Sequence, residues 1–215
     1  VLAAIVFMIG LGLVDVKGLA RIRAARLSEF LIACVTAIVV FAWGVEEGII
    51  LAIILSIVEL VRRAYTPTDF LVGLNKAGVP TFSAAEPGAQ TLPGLLIFRF
   101  DSRLFFANAS LFVDRIQELI AAAPTPVRWL ILDCSSIGDI DYSASINLEG
   151  LIAALHADHR VFALAEVDPT LMNVLTKLKV LEHFDNAHIY PTVADAVDAF
   201  HGTARVWADA ASPAR

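Results

Sequence analysis

The sequence predicts a membrane α-helical segment, consisting of the end of one span plus a helical hairpin, followed by an α/β domain with a small sheet packed by helices. Two observations predict this division. Residues 1–61 are almost wholly apolar apart from one basic cluster and one acidic pair. From about residue 94 onward, short apolar runs alternate with amphipathic stretches, as in a soluble α/β domain. The expected parts are membrane helices at 1–63, a linker at 64–93, the α/β domain at 94–203 and a disordered, Ala-rich tail at 204–215.

The chain opens with an apolar run, Val1–Val14, which is too short to cross a bilayer, because a membrane helix needs about 20 residues. We therefore expect it to be the tail of a span whose beginning lies upstream. A basic cluster follows directly, and such a cluster marks the cytoplasmic side by the positive-inside rule. Its members are Lys17, Arg21, Arg23 and Arg26.

Two further apolar runs, Phe30–Val45 and Gly48–Val58, contain no charged residue. Between them, WGVEEG combines glycines with Glu46 and Glu47 and suits a tight turn. These runs predict a helical hairpin with basic flanks and an acidic tip. The two carboxylates suggest either an external cation or proton site or a solvated turn, and we interpret them as the turn.

A Pro- and Gly-rich stretch, Tyr65–Pro93, suits a connector with some extended structure. Leu95–Phe100 then predicts a strand, and Leu104–Phe106 a short second strand after a turn. Asn108 or Ser110 is placed to cap the helix that follows, which Pro124 ends.

The remaining elements alternate between strand and helix, which is typical of an α/β sheet. Val127–Asp133 (VRWLILD) is a near-continuous apolar strand of the kind that is buried on both faces. After it we expect a helix at Ser143–Ala157, a strand at Arg160–Ala165, a helix at Leu171–Leu178, a strand at Ala187–Tyr190 and a helix at Val193–His201.

Several classes of function find no support in the residues. The net charge of −6 argues against a nucleic-acid partner, which would need a basic face. Cys34 and Cys134 fall in different predicted environments, so no disulfide is expected, and neither has metal-ligand spacing. His156 and His159 lack a third ligand at suitable spacing. Neither a phosphate-binding loop nor a hydrolase motif is present, so we expect no enzyme activity, no cofactor and no metal.

The loop Cys134–Ser145 (CSSIGDIDYSAS) contains the candidate site. Ser143 stands at the start of a predicted helix, where free N–H groups and the helix dipole favour anions and phosphate. It could carry a phosphate or cap the helix with its hydroxyl, and sequence alone favours the cap. Asp133 and Asp139 could orient the loop, or simply end the strand and cap a turn, while Asp141 lies two residues before the serine.

The order VRWLILD, five residues, then DIDYSA, preceded by GLLIFRFDSRLFFANAS, resembles the STAS domain of bacterial SulP anion permeases. The upstream segments GLVDVKGLARIRAARLSEFLIACVT and GVEEGIILAIILSIVELVRRAYTP resemble the last spans and the exit of such a permease. The resemblance covers essentially residues 1–201, and two independent segments match in the right order.

The resemblance implies the C-terminal part of a secondary-active inorganic anion transporter of the sulfate type. In that case the anion, such as sulfate or bicarbonate, is held by helices upstream, and no substrate-binding residue lies on this chain. The helices would lie in the inner (plasma) membrane, and the STAS domain would lie in the cytoplasm, where it would regulate transport, assembly or partner docking. A homodimer and a cytoplasmic regulatory protein are the implied protein partners, with membrane lipid around the helices.

The resemblance also leaves an alternative. STAS domains occur as anti-sigma-factor antagonists, in which a loop serine is phosphorylated by a partner kinase. Laid over that loop, Asp141 matches the family's Asp and Ser143 its phospho-acceptor, with Asp133 and Asp139 as loop support. Tyr142 and Ala144 replace the flanking residues, and the lost glycine removes backbone freedom. This alternative predicts a membrane-tethered STAS signalling module.

Overall fold

The computed structural model describes residues 5, 8–10, 15–65, 68–75, 79–184 and 188–211, with no side-chain description at 63–65 or beyond 203. The chain forms two compact units, Val1–Arg63 and Ala64–Arg215. The predicted end of a span at residues 1–14 lies mostly outside the described residues.

Three helices lie within residues 16–65, after the helical residues 5 and 8–10. Helix α1 is Val16–Ala25, α2 is Leu27–Ala42 and α3 is Val45–Tyr65. The predicted basic cluster therefore lies on a helix of its own, whose first turn is capped by Asp15 Oδ1 accepting from Gly18 N at 2.8 Å. Arg26 has extended backbone angles, φ −153° and ψ 108°, and separates α1 from α2.

Helices α2 and α3 lie antiparallel, as the predicted hairpin requires. Ser28 Oγ donates to Glu59 Oε1 at 2.7 Å at one end, and Gly48 packs against Val40 at the other. The predicted turn is shorter than expected: α3 begins at Val45, so the acidic pair lies in its first turn. Carboxylates are stabilised there by the positive end of the helix dipole, which explains why they extend the helix.

Within the described part of the chain, no helix combines the length and the apolar character that a bilayer crossing needs. Helix α2 has 16 residues, and α3 has 21 but includes three glutamates and two arginines. The helical hairpin is present, whereas its membrane crossing stays a prediction.

The second unit contains a six-stranded mixed sheet in the order β2-β1-β3-β4-β5-β6. Strand β1 pairs antiparallel with β2 and with β3, and strands β3 to β6 are parallel. The strands are β1 Asp69–Leu74, β2 Pro80–Ala84, β3 Leu95–Phe100, β4 Trp129–Asp133, β5 Val161–Ala165 and β6 Ile189–Tyr190. The helices are α4 Ala109–Ala122, α5 Tyr142–Ala157, α6 Pro169–Lys177, a 3₁₀ turn Val180–His183 and α7 Val193–Ala211.

Helices cover both faces of this sheet. Apolar side chains of α4, α5 and α6 form one core with one face, and those of α7 form a second core with the other. All five residues of β4 are buried, as the continuous apolar run predicts for a central parallel strand. Both faces of each central strand pack against helices, which accounts for their mainly apolar residues.

Two local predictions are wrong. Leu104–Phe106 does not form a strand: Leu104 makes a single parallel bridge with Ile140, and residues 106–108 form a turn. Asn108 occupies the N-cap position of α4 without capping it, and Ser110 lies inside the helix. Asn108 is instead completely buried, where its side chain bonds to the preceding loop.

The stretch 64–93, predicted as a linker, contains two strands: residues 69–74 and 80–84 form the antiparallel edge of the sheet. Its prolines and glycines lie around these strands, and only Gly73 and the first residue of β2, Pro80, lie within them. The expected tail also differs, since the backbone of residues 204–211 continues α7.

Candidate functional site

The predicted loop lies at the carboxyl end of β4 and is joined to the segment that follows β3. Leu104 N donates to Asp139 O at 3.2 Å, and Asp141 N donates to Leu104 O at 3.2 Å. These two bonds flank the bridge between Leu104 and Ile140. The loop and the segment 101–108 therefore form one surface at the carboxyl edge of the parallel strands, the edge where open α/β sheets usually bind ligands.

Asp141 organises this surface. Its Oδ1 accepts from Ala144 N at 2.8 Å, so Asp141 is the N-cap of α5. Its Oδ2 accepts from Phe106 N at 2.8 Å and holds the neighbouring segment. The prediction that Ser143 caps this helix is wrong, because the helix begins one residue earlier than expected and Asp141 already satisfies its first turn.

Ser143 is the second residue of α5 and is exposed. Its carbonyl accepts from Asn147 Nδ2 at 2.9 Å, and its hydroxyl has no hydrogen-bond partner among the residues that the structure describes. The neighbouring Ser145 is buried and donates to Tyr142 O at 2.8 Å. A phosphate on Ser143 would stand at the positive end of α5, where first-turn N–H groups favour anions.

Asp133 is only 2% exposed and acts within the protein. Its Oδ1 accepts from Ser135 N at 3.0 Å and from Ser135 Oγ at 2.6 Å, and Oδ2 lies 3.4 Å from Arg99 Nη1. Arg99 also donates from Nη2 to Ser136 Oγ at 2.6 Å, and its guanidinium lies 4.9 Å from the centre of the Phe82 ring. This buried carboxylate thus holds the start of the loop to β3.

Asp139 lies at the surface. Its Oδ2 is 2.6 Å from Arg103 Nη2, with both side chains largely exposed, and its Oδ1 accepts from Ile140 N at 3.0 Å. Exposed ion pairs contribute at most about 1 kcal/mol to stability. The four predicted site residues lie in one loop, in which the side chain of Asp133 accepts three hydrogen bonds and the side chains of Asp139 and Asp141 accept two each.

Sequence reasoning missed three residues that build the site. Arg99 and Arg103 pair with the two loop carboxylates, and Asn108 Nδ2 donates to Arg103 O at 2.9 Å while its Oδ1 accepts from Phe105 N at 2.9 Å. One signal was available for Arg99, since a charged residue within the apolar strand LLIFRF needs a partner. Nothing local identifies the partners of Arg103 or Asn108.

The neighbouring thiol is not a nucleophile candidate. Cys134 is buried at the end of β4, and burial raises the pKa of its thiol, with Asp133 as a further cause. The thiol therefore stays protonated at neutral pH, whereas the thiolate is the reactive form. Among the described residues, no three His, Cys, Asp or Glu side chains form a group that could hold a metal ion.

Exposed apolar side chains adjoin Ser143. Phe106 is 73% exposed and Tyr142 is 70% exposed, and Ile146 lies one helical turn after Tyr142. The bond from Phe106 N to Asp141 places the loop aromatic beside the start of α5. Exposed apolar groups of this kind mark surfaces suited to protein contacts.

Comparison with known proteins adds family information. The STAS domain family model matches residues 86–196. A probable sulfate transporter of Mycobacterium tuberculosis (strain ATCC 25618 / H37Rv) is 33% identical over 204 residues, which covers 93% of this chain and 36% of that protein. Sulfate transporter 1.1 of Arabidopsis thaliana is 30% identical over 207 residues, with 92% and 32% covered. The chain thus spans about a third of the length of these relatives.

Solved structures share the fold. The overall structure of SLC26A9 superposes with a TM-score of 0.72 at 17% identity, covering 91% of this chain and 33% of that one. The inward-facing murine Slc26a9 anion transporter gives a TM-score of 0.70 at 19% identity, with 86% and 30% covered. At such identities, the likeness establishes a shared fold.

Proposed function

The chain belongs to the STAS domain family, and from that premise we propose that it forms the C-terminal part of a secondary-active transporter of inorganic anions of the sulfate type. The substrate would be coordinated by helices upstream of residue 1 and carried by alternating access, with no covalent bond made or broken. The STAS domain would act from the cytoplasm on transport, assembly or partner docking.

One observation carries the proposal. Relatives named as sulfate transporters match more than 90% of this chain, whereas the STAS family model begins only at residue 86. The match therefore includes most of the helical unit, which a STAS domain alone would not supply. A signalling module with an unrelated anchor would be expected to match such transporters only over its STAS domain.

The exposed apolar side chains of the first unit support the membrane part of the proposal. They include Ile38, Ile54 and Phe41, the last of which is 96% exposed. Soluble proteins seldom expose so much contiguous apolar surface, because water solvates it poorly. Helix α3 is about 32 Å long at 1.5 Å per residue, but its uncharged run Gly48–Val58 accounts for only about 16 Å, and α2 is about 24 Å long. The bilayer core is about 30 Å thick, so the proposal requires local thinning of the bilayer around both helices.

This proposal gives the two ends of the hairpin different surroundings. The basic helix α1 and Arg62 would lie on the cytoplasmic side of the inner membrane, and Glu46 and Glu47 on the outside. The STAS domain follows α3 and would be cytoplasmic. A homodimer and a cytoplasmic regulatory protein, with the exposed surface at Phe106 and Tyr142 as a contact, complete the proposal.

The test is uptake of labelled sulfate, then bicarbonate, by the complete gene product that contains this chain, reconstituted in proteoliposomes. We expect uptake by the complete product and none by residues 1–215 alone. Ser143→Glu tests regulation, with Ser143→Ala as the matched control: altered uptake for Glu but not for Ala supports action of the STAS domain through this serine. Absence of uptake of either anion by a well-folded complete product would contradict the transporter proposal.

The second candidate is the membrane-tethered STAS signalling module. The observation that favours it is the exposed Ser143 hydroxyl at the start of α5, beside exposed aromatic side chains. Mass spectrometry of the protein purified from its own cells tests this candidate. Phosphate on Ser143, together with no anion uptake by the complete gene product, would favour signalling; an unmodified serine with uptake would exclude it.

A further inference from the structure

The base of the helical hairpin concentrates positive charge. Helix α1 contains Lys17, Arg21 and Arg23, all exposed, and Arg26 follows directly. At the same end, Ser28 of α2 bonds to Glu59 of α3, which identifies this end as the base of the hairpin. The opposite end contains the acidic first turn of α3. The unit therefore has a cationic base and an anionic tip.

The basic groups of this base differ in their partners. Arg26 pairs with Glu29 at 3.5 Å, and Arg62 lies 4.0 Å from Glu59. Lys17 and Arg21, in contrast, have neither an ion pair nor a hydrogen bond from their side chains within the part of the chain that is described. Because they are four residues apart on α1, they lie on the same face of the helix, one turn from each other.

Helix α1 also exposes two apolar side chains. Val16 is 68% exposed and Ile22 is 38% exposed. At about 100° per residue they lie about 120° apart around the helix, with Arg23 in the arc between them, and each lies about 100° from the nearer of Lys17 and Arg21. The guanidinium of Arg23 lies 5.9 Å from the centre of the Phe30 ring, which holds α1 against the start of α2. The extended Arg26 breaks the helix, so α1 is not a continuation of α2. A short helix with exposed apolar and basic side chains, held at the end of a hairpin, resembles an interfacial helix in composition and position.

We propose that α1 binds the headgroups of anionic phospholipids through Lys17 and Arg21, with Val16 and Ile22 at the boundary of the acyl chains. Charge complementarity favours an anionic lipid as the ligand. Its phosphate lies at the membrane surface, at the same depth as a helix at the end of a membrane hairpin, and it would neutralise two side chains that have no carboxylate partner on the described chain. The STAS unit is a poor competitor for lipid, since residues 64–215 contain 10 basic and 17 acidic residues. The inference rests on the proposed membrane insertion of the hairpin.

The experiment uses the full chain in two steps. Flotation with phosphatidylcholine vesicles first tests insertion. Binding of fluorescent phosphatidylglycerol to the chain in neutral detergent is then measured, in competition with phosphatidylcholine and, separately, with inorganic phosphate. The test variant is Lys17→Gln with Arg21→Gln. The matched control is Lys177→Gln with Lys179→Gln, which makes the same change in net charge on α6 and the residues after it.

We expect the wild type to prefer phosphatidylglycerol, and the test variant to bind it about ten-fold more weakly, while the control binds as the wild type does. Rising salt should reduce the preference, because these groups are exposed. An undiminished preference in a test variant with wild-type helical content would overturn the inference, as would displacement of the lipid by inorganic phosphate at equal concentration. Failure of the wild type to float with vesicles would overturn membrane insertion, and the headgroup inference with it. Insertion without any lipid preference would overturn the headgroup inference alone.

Discussion

Replacing Asp141 tests which residue holds the candidate site together. The two carboxylate oxygens make separate bonds, one to Ala144 N and one to Phe106 N, both at 2.8 Å. Asp141→Ala removes both bonds at once. Helix α5 then loses its N-cap, and the segment 101–108 loses the bond from Phe106 N while it keeps the two backbone bonds of Leu104 to the loop.

The magnitude follows from the two bonds. Loss of an N-cap costs about 1 kcal/mol, within a range of roughly 0.5–2 kcal/mol. Loss of the second bond costs about another 1–1.5 kcal/mol, at the low end for a charged acceptor, because Phe106 is exposed and water can solvate its N–H. The free energy of unfolding should therefore fall by about 2–3 kcal/mol, which lowers Tm by about 5–10 °C for a chain of this size.

Three variants at the same site act as controls. Asp141→Asn keeps a capping oxygen, since Asn caps about as well as Asp, and should lose only about half as much. Asp139→Ala removes an exposed pair with Arg103 and should cost less than about 1 kcal/mol. Ser143→Ala should leave stability nearly unchanged, because the hydroxyl makes no bond with the described residues.

Thermal unfolding of the full chain in mild detergent measures these differences, and hydrogen exchange locates them. In Asp141→Ala, the amides of Ala144 and Phe106 should exchange faster, while the strands keep their protection. The reasoning would be refuted if Ser143→Ala destabilised the chain as much as Asp141→Ala, or if Asp141→Ala unfolded within about 0.5 °C of the wild type.

Three other perturbations test the fold. Arg115 Nε lies 2.6 Å from Asp69 Oδ2, and this hydrogen bond is the main cause of the raised pKa of Arg115. Arg115→Ala should therefore lower the free energy of unfolding by about 2 kcal/mol and speed hydrogen exchange of the β1 amides. Unchanged exchange of these amides would contradict this prediction. Burial raises the pKa of the Cys134 thiol, so the folded chain keeps a proton that the unfolded chain loses above about pH 9. Stability should therefore fall with rising pH there by up to about 1.4 kcal/mol per pH unit, and urea unfolding of Cys134→Ala should show a shallower fall; equal slopes would refute this. Gly48→Ala should cost about 1–3 kcal/mol, because its Cβ would overlap a side chain of α2, whereas the matched Gly138→Ala, with open space around it, should be nearly neutral by thermal unfolding.

Local sequence patterns were sufficient to predict those strands and helices whose buried positions recur at a regular spacing. The strand at Leu95–Phe100 is placed as predicted, and β4 occupies Trp129–Asp133 within the predicted Val127–Asp133. The predicted helix Ser143–Ala157 is observed at Tyr142–Ala157. These elements are buried on one face or on both, so hydrophobic burial enforces the same period that the sequence displays.

Strand pairs between segments far apart in the sequence could not be predicted from local patterns. The β1–β2 hairpin lies in a stretch whose prolines and glycines suggest a connector, and β1 becomes a strand by pairing with β3, about 30 residues later. The segment Leu104–Phe106 has the composition of a strand, but among the described residues it pairs only through the single bridge between Leu104 and Ile140. Strand propensity is therefore decided by neighbours that the local sequence does not reveal.

The sequence by itself determined the division into an apolar helical part and an α/β part, the central strands and the loop that contains Ser143. The resemblance drawn from it also identified the STAS family, which the family model confirms over residues 86–196. The role of Ser143 as a phospho-acceptor stays a prediction. Only the tertiary structure decided that Asp141 rather than Ser143 caps α5, and that Arg99 neutralises the buried Asp133. The physical reason for the first is that an N-cap depends on where the backbone enters the helix. The reason for the second is that a buried charge needs a partner, and Arg99 and Asp133, 34 residues apart, meet only after β3 and β4 have paired.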